Sequence, residues 1–165
     1  MAKPILVLAA FVMILSCAKN AKHDEEQISL QSPDGTIKLA SSITDLLTAA
    51  SASNKQVKDI VRIDYPHCSR GYYAVVTYIA QNGKESTIVY SKFPLATVSS
   101  STTIHKNDGQ GDLYNTAPAC YEYWCTTAGN CTTCGVRVSD PFGNPTLSCS
   151  CNDCHLHQKK YDCPQ

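Results

Sequence analysis

Eight of the ten cysteines in this 165-residue chain lie between positions 120 and 163, and they constrain its fold more than any other feature. They are Cys120, Cys125, Cys131, Cys134, Cys149, Cys151, Cys154 and Cys163. Large apolar side chains are few in this segment, and so short a segment usually needs cross-links or a metal to fold. We therefore predict a cysteine-rich C-terminal module over residues 120–165.

The first sixteen residues have the proportions of an export signal. Lys3 precedes an apolar run from Ile5 to Ser16. That run is too short to span a bilayer, which takes about 20 apolar residues. It ends in Ile14-Leu15-Ser16-Cys17, which resembles the lipobox of bacterial lipoproteins. The resemblance implies that residues 1–16 are a signal peptide, that cleavage precedes Cys17, and that Cys17 carries the lipid that makes the membrane a partner.

Residues 17–27 are polar and charged, which predicts a flexible tether. Ala18 rather than aspartate follows the lipidated position, and in lipoproteins of many Gram-negative bacteria this favours the outer membrane. The run Lys22-His23-Asp24-Glu25-Glu26 resembles the acidic export signals of surface-exposed lipoproteins in some Gram-negative groups. These resemblances imply a protein of the bacterial cell envelope. The first places it at the outer membrane, and the second extends this to the cell surface.

Residues 28–95 have the pattern of a small α+β domain. Ser42 is placed to cap a helix, and apolar residues follow at helical spacing on one face. These residues are Ile43, Leu46, Leu47 and Ala50. We expect this helix to pack on one face of an antiparallel sheet of about three to five strands.

Three extended segments are predicted for that sheet. Val61, Ile63 and Tyr65 alternate with polar residues, which predicts a strand over 57–65 with one apolar face. Residues 72–80 are apolar on both faces, as in a central strand. Asn82-Gly83 then predicts a hairpin that pairs residues 86–93 with 72–80.

Residues 96–119 are rich in Ser, Thr, Asn and Gly, which predicts a linker before the cysteine-rich module. Within that module, residues 140–145 are dense in turn formers. We expect a hairpin of residues 136–138 with 146–148 that brings Cys131 and Cys134 toward Cys149, Cys151 and Cys154.

Disulfides are the first predicted cross-link, because an exported chain meets an oxidising compartment. Setting Cys17 aside leaves nine of the ten cysteines, an odd number. The eight cysteines of the module can form four bridges, which leaves Cys68 over. The connectivity cannot be deduced from the sequence.

A structural metal site is the alternative for the same sulfurs. Cys131-x2-Cys134 and Cys151-x2-Cys154 have sixteen residues between them, which is the spacing of structural zinc sites. Zinc is the cofactor this spacing favours. His155 and His157 are candidate substitute ligands, and soft sulfur-rich clusters also suit Cu(I).

Haem attachment is a minor alternative. Cys151, Cys154 and His155 form the CxxCH signature of c-type cytochromes. Only ten residues follow His155, and no methionine exists outside the leader to supply a second axial ligand. The tail also lacks the apolar residues that would line a haem pocket.

Charge and catalytic motifs narrow the function classes. Fourteen basic residues balance fourteen acidic ones, so a nucleic-acid partner is not expected. A nucleophilic site needs a base and an orienting partner arranged in space, and the adjacency of His67 and Cys68 in sequence shows neither, so we expect Cys68 to be bonded to the C-terminal module or idle. Cys131–Cys134 lacks the context of a thioredoxin-like motif. We expect a non-enzymatic binding or structural protein, whose protein or carbohydrate ligand the sequence does not identify.

Overall fold

The computed structural model describes residues 28–52, 57–98, 102–105, 119–127, 129–140 and 143–163. Within them the chain has one helix, α1 (Ile43–Ala52), and ten strands. The strands are β1 (Val57–Asp64), β2 (His67–Cys68), β3 (Gly71–Ala80), β4 (Glu85–Ser91), β5 (Ala96–Thr97), β6 (Thr102–His105), β7 (Ala119–Thr127), β8 (Val136–Ser139), β9 (Thr146–Cys149) and β10 (Cys154–Asp162). The predicted signal peptide, the lipobox with Cys17 and the tether lie outside the described residues.

The helix α1 begins and packs as the sequence predicts. The Ser42 hydroxyl accepts a hydrogen bond from the backbone N–H of Asp45 at 3.1 Å, which satisfies a donor of the first turn. Leu46 and Ala50 are buried, and the other apolar residues of the predicted face pack partly buried beside them.

The predicted hairpin joins β3 to β4. Gly83 has a φ of 79°, and its N–H donates to the carbonyl of Ala80 at 2.8 Å. Only glycine adopts this backbone conformation readily, which is why Asn-Gly marks such turns. β3 lies between β1 and β4, as expected for a strand that is apolar on both faces.

The strand β1 departs from the alternation predicted for it. Val61 was predicted to share an apolar face with Ile63 and Tyr65, but it is 46% exposed, whereas Val57 and Ile60 are buried. The pairing of β1 with β3 contains two register shifts. Each irregularity of this kind changes which side chains face inward, so the prediction for Val61 was wrong.

Seven of the described strands form the main sheet, in the order β1-β3-β4-β7-β10-β6, with β2 paired to β3 beside that path. All its pairs are antiparallel except β10 with β6. The α+β class is confirmed, but the main sheet exceeds the expected three to five strands because β7 and β10 extend it.

A second sheet, of three described strands, has the order β5-β9-β8. β8 and β9 are the predicted hairpin, with Val136 paired to Cys149 and Ser139 to Thr146. We call these three strands the small sheet.

The main sheet has a hydrophobic cluster on each face. On the helix side, Leu46 and Ile37 pack against Val76, Ile88 and other residues of the central strands. On the opposite side, the small sheet and the cysteines form the second cluster. Its members include Leu147, Val136, Tyr123, Val89 and Leu156. The described chain is therefore layered as helix, main sheet and small sheet.

The predicted domain boundaries stay a prediction, and the structure adds how the two parts are connected. β4 pairs with β7, so a single sheet includes strands from both sides of residues 96–119. Ala96–Thr97 and Thr102–His105 of the predicted linker form β5 and β6. Residues 99–101 and 106–118 lie outside the described part.

Candidate functional site

Four disulfide bonds join the eight cysteines of the described C-terminal region, as the sequence predicts. The pairs, with their Cα–Cα distances, are Cys120–Cys163 (5.0 Å), Cys125–Cys149 (5.9 Å), Cys131–Cys151 (6.3 Å) and Cys134–Cys154 (5.8 Å). Among the described cysteines Cys68 is the one left free. This agrees with the prediction of four bridges in the C-terminal module with Cys68 left over.

Two of the bridges fasten the sheets. Cys120 is the second residue of β7, opposite Tyr161 of β10, and it bonds to Cys163 just beyond the end of β10. Cys125 in β7 bonds to Cys149 in β9, which ties the main sheet to the small sheet. Each of these two bridges therefore joins strands that are already hydrogen-bonded within their own sheets.

The other two bridges connect the two CxxC motifs in parallel. The first cysteine of one motif bonds to the first of the other, and the second bonds to the second. The β8–β9 hairpin lies between the motifs in sequence, and its end is held by two hydrogen bonds between Gly135 and Ser150, at 2.8 and 3.0 Å. The predicted hairpin thus brings the motifs together.

The first CxxC loop is fastened to β4 by side chains of that strand. The Ser86 hydroxyl donates to the carbonyl of Cys134 and the Thr87 hydroxyl donates to the carbonyl of Val136, both at 2.7 Å. A Cβ atom added at Gly135 would lie 2.9 Å from the Thr87 Oγ1. The glycine after the motif therefore permits the close approach of the loop to the strand.

Further hydrogen bonds hold the other ends of the two motifs. The Thr127 hydroxyl donates to the carbonyl of Cys131 at 3.3 Å. The N–H of Cys154 donates to the carbonyl of Cys151 at 3.1 Å, which closes the second motif as a turn. Cys154 itself pairs with Thr127 in the main sheet. Neither loop relies on its sulfurs alone for its position.

The two CxxC bridges form one compact sulfur cluster. The Sγ atoms of Cys131, Cys151 and Cys154 all lie within 4.8 Å of one another, and Cys134 is bonded to Cys154. Cys131 and Cys151 are partly exposed, whereas Cys134 and Cys154 are buried. The structure thus brings together all four cysteines of the predicted metal set.

The cysteines of the haem alternative have other partners in this structure. Cys151 is bonded to Cys131, and Cys154 is bonded to Cys134. In this state their sulfurs are not available for thioether bonds to a porphyrin. His155 follows Cys154 in β10 and lies opposite Thr126 of β7.

A histidine–tryptophan pair on the helix side of the main sheet was not predicted from the sequence. The rings of Trp124 and His157 stack with centroids 5.2 Å apart and planes 14° from parallel. The Thr126 Oγ1 and the His157 Nε2 form a hydrogen bond of 2.6 Å. The pairing of β7 with β10 creates this arrangement, and no local motif in either strand signals it.

The free thiol of Cys68 is part of the second hydrophobic cluster. It is 3% exposed, and its Sγ donates to the carbonyl of Gly71 at 3.2 Å. The neighbouring His67 ring instead packs edge-on against Tyr72, with centroids 4.8 Å apart. The two side chains therefore have separate surroundings despite being adjacent in sequence.

Most tyrosines of the strands belong to the core. Tyr73, Tyr78 and Tyr90 are each less than a tenth exposed. Burial raises the pKa of Tyr90 well above its usual value, and the carboxylate of buried Glu122 raises it further. Burial also raises the pKa of Tyr123 to about 12, although its hydrogen bond with the N–H of Leu95 opposes that rise.

Comparison with known proteins does not assign this cluster to a described site. No protein-family model, curated protein or solved structure matches the chain. In the part of the chain that the structure describes, no helix has the length and apolar character needed to cross a membrane.

Proposed function

We propose that this chain is a lipid-anchored protein of the bacterial cell envelope, with a non-enzymatic binding or structural role and a C-terminal region cross-linked by disulfides. The anchor is proposed from the sequence Ile14-Leu15-Ser16-Cys17 at the end of a short apolar run. Stable membrane attachment takes more than one acyl chain, and bacterial lipoproteins of this kind carry three.

The observation that carries the proposal is the complete pairing of the eight C-terminal cysteines. Disulfides persist in oxidising compartments such as the bacterial periplasm and the cell surface, and they are rare in a reducing cytosol. The cross-linked region therefore fits the export that the N-terminal sequence implies.

We propose a non-enzymatic role because of the state of the cysteines in the described residues. The free thiol of Cys68 is hydrogen-bonded to a backbone carbonyl within a hydrophobic cluster. The other described cysteines are bonded to one another around a small, layered core. We propose that this core presents a ligand-binding or structural surface beyond the outer leaflet, for a protein or carbohydrate partner.

Metabolic labelling with a radioactive fatty acid tests the anchor. We expect the chain to take up label, and Cys17→Ser to abolish the label and leave an uncleaved precursor. Cys68→Ser is the matched control, because it removes a cysteine that is neither in the lipobox nor in a bridge; it should be labelled and cleaved normally. Equal labelling of the Cys17→Ser variant would refute the lipid anchor.

Membrane fractionation tests the location. We expect the protein in the outer-membrane fraction and accessible to protease added to intact cells. Ala18→Asp should move it toward the inner-membrane fraction in those Gram-negative bacteria that sort lipoproteins by this position. An unmodified chain that is found entirely in the cytosol, with its thiols reduced, would contradict the proposal.

A further inference from the structure

The backbone around the sulfur cluster is held by hydrogen bonds as well as by its bridges. The first CxxC loop is held by Ser86, Thr87 and Thr127 through hydrogen bonds to backbone carbonyls. The second is closed by its own turn and continues into β10. Cys125–Cys149 still fastens the small sheet when the two CxxC bridges are open.

The sulfur cluster is close in size to a tetrathiolate zinc site. Zinc bonds cysteine sulfur at about 2.3 Å in a tetrahedron, so the edge between two sulfurs is about 3.8 Å. The sulfurs of Cys131, Cys151 and Cys154 already lie within 4.8 Å of one another, and Cys134 is bonded to Cys154. Opening a bridge must separate its two sulfurs from about 2.0 Å to about 3.8 Å, so each sulfur of a bridge moves by about 1 Å. In the described residues, no other group of three cysteine, histidine or acidic side chains has ligand atoms this close together.

We propose that Cys131, Cys134, Cys151 and Cys154 form a redox-gated zinc site, which is closed as two disulfides and becomes a tetrathiolate site for one zinc ion on reduction. This goes beyond the proposed envelope role and does not depend on it. The four ligands come from two loops on either side of the β8–β9 hairpin.

The exposure of the bridges sets the order in which they open. Cys131–Cys151 is partly exposed at both ends, whereas each of the other bridges has at least one buried cysteine. An external dithiol reduces Cys131–Cys151 first: the dithiol closes to its own disulfide, and two protein thiols form. Thiol–disulfide exchange of this kind depends on access to the attacked sulfur.

The opened bridge then gives access to the buried one. The thiolate of Cys151 lies within 4.8 Å of the Cys154 Sγ. It attacks that sulfur, the Cys134–Cys154 bond breaks, and Cys134 leaves as a thiolate. A second dithiol reduces the new Cys151–Cys154 bond. In total two dithiols are oxidised and four protein thiols form, and one zinc ion then displaces four protons from them.

The test uses the full-length chain in detergent, purified with its bridges intact. It is treated under argon with graded amounts of dithiothreitol, which is removed before one equivalent of zinc is added. Native mass spectrometry counts zinc per chain, and alkylation with peptide mapping identifies the thiols that zinc protects. We expect no zinc on the oxidised chain, one zinc per chain after two bridges open, and protection of the four proposed ligands.

Paired variants distinguish this site from general binding by thiols. Cys131→Ser with Cys151→Ser removes one bridge and two ligands, and it should weaken zinc binding at least about 100-fold. Cys120→Ser with Cys163→Ser removes one bridge and no ligand, and it should change the affinity by less than about threefold. Cys68→Ser is a second control, which removes a thiol and no bridge.

Three outcomes would overturn the proposal. Zinc binding that is equal in the two paired variants, or that protects other cysteines, would mean that the site is not this cluster. Binding of Cu(I) but not zinc would mean a different metal. Amide hydrogen exchange covers the remaining case: if β8 and β9 lose protection on reduction and zinc does not restore it, the loops do not hold the thiols together.

Discussion

Gly135 makes the attachment of the small sheet to the main sheet testable. Replacing it with alanine places a Cβ atom 2.9 Å from the Thr87 Oγ1 and 3.3 Å from the Thr87 backbone nitrogen. The first contact involves a side chain that is itself fixed, because its hydroxyl donates to the carbonyl of Val136 at 2.7 Å. The new methyl group can therefore be accommodated only if the loop moves away from β4.

The expected cost follows from two opposing effects. Overpacking of a well-packed site costs about 1–3 kcal/mol. Replacing glycine with alanine also restricts the unfolded chain, which returns about 0.4–1 kcal/mol. We therefore expect Gly135→Ala to lower the free energy of unfolding by about 1–2 kcal/mol.

A double-mutant cycle with Thr87 identifies the source of that cost. Thr87→Ala alone loses one hydrogen bond, worth about 1 kcal/mol. In the double variant the Oγ1 clash is gone, so the two effects should combine to about 1 kcal/mol less than their sum. Thr87→Ser is the matched control, because it keeps the hydroxyl and should give no relief.

Urea unfolding of the oxidised protein, followed by Trp124 fluorescence, measures the four free energies. The chain has a single tryptophan, and it is buried in β7. If the effects of Gly135→Ala and Thr87→Ala add within about 0.3 kcal/mol, the close approach of the loop to β4 does not determine the cost. The reasoning about this attachment would then be refuted.

Four further results are expected. Replacing Cys120 and Cys163 with serine opens a bridge that spans 43 positions, and it should lower the free energy of unfolding in urea by about 3 kcal/mol, since the remaining bridges already shorten the loop. Ser42→Ala should cost about 1 kcal/mol in the same assay, because it removes the helix cap. The pKa of Tyr123 is higher in the folded state, about 12, than the usual 10. The un-ionised phenol therefore contributes fully to the free energy of unfolding below pH 10, and this contribution is lost as the pH rises toward about 12. Tyr123→Phe should show a shallower alkaline decline in the free energy of unfolding. With all four bridges reduced and zinc chelated, amide hydrogen exchange should become fast in β8 and β9 and stay slow in the centres of β3 and β4.

The features that the sequence predicts correctly are set by residues close together in the chain. The Ser42 cap and the apolar face of α1 lie within residues 42–50, and the turn after β3 needs only Asn82 and Gly83. The β8–β9 hairpin follows from a dense group of turn formers between two short extended segments. In each case a backbone preference and an apolar pattern agree locally.

The features that the sequence does not predict depend on contacts between distant segments. β7 pairs with β4 and β10, and no short turn connects it to either strand. The stacking of Trp124 on His157 follows from that pairing. Eight cysteines allow 105 connectivities, and the observed one depends on where the strands place each sulfur. The sequence therefore predicted which cysteines form the candidate site, but not which cysteine bonds to which.

The location of the strands also changes the account of why the C-terminal region folds. Counted by itself, that region has few large apolar residues, which predicts that cross-links or a metal hold it. In the structure Trp124 packs in the helix-side cluster and Leu156 in the opposite one, beside residues of β3 and β4. β7 and β10 thus share the apolar core of the earlier strands.

The disulfide bonds therefore hold only parts of the C-terminal region in place, and not the whole of it. Of the four, Cys120–Cys163 fastens β7 to the end of β10, and the other three fasten the small sheet or the CxxC loops. The small sheet consists of two-residue and four-residue strands, too short to be stable without packing and cross-links. Three of the four disulfides are therefore found where the strands are shortest. We therefore expect the main sheet to keep its structure when the two CxxC bridges open.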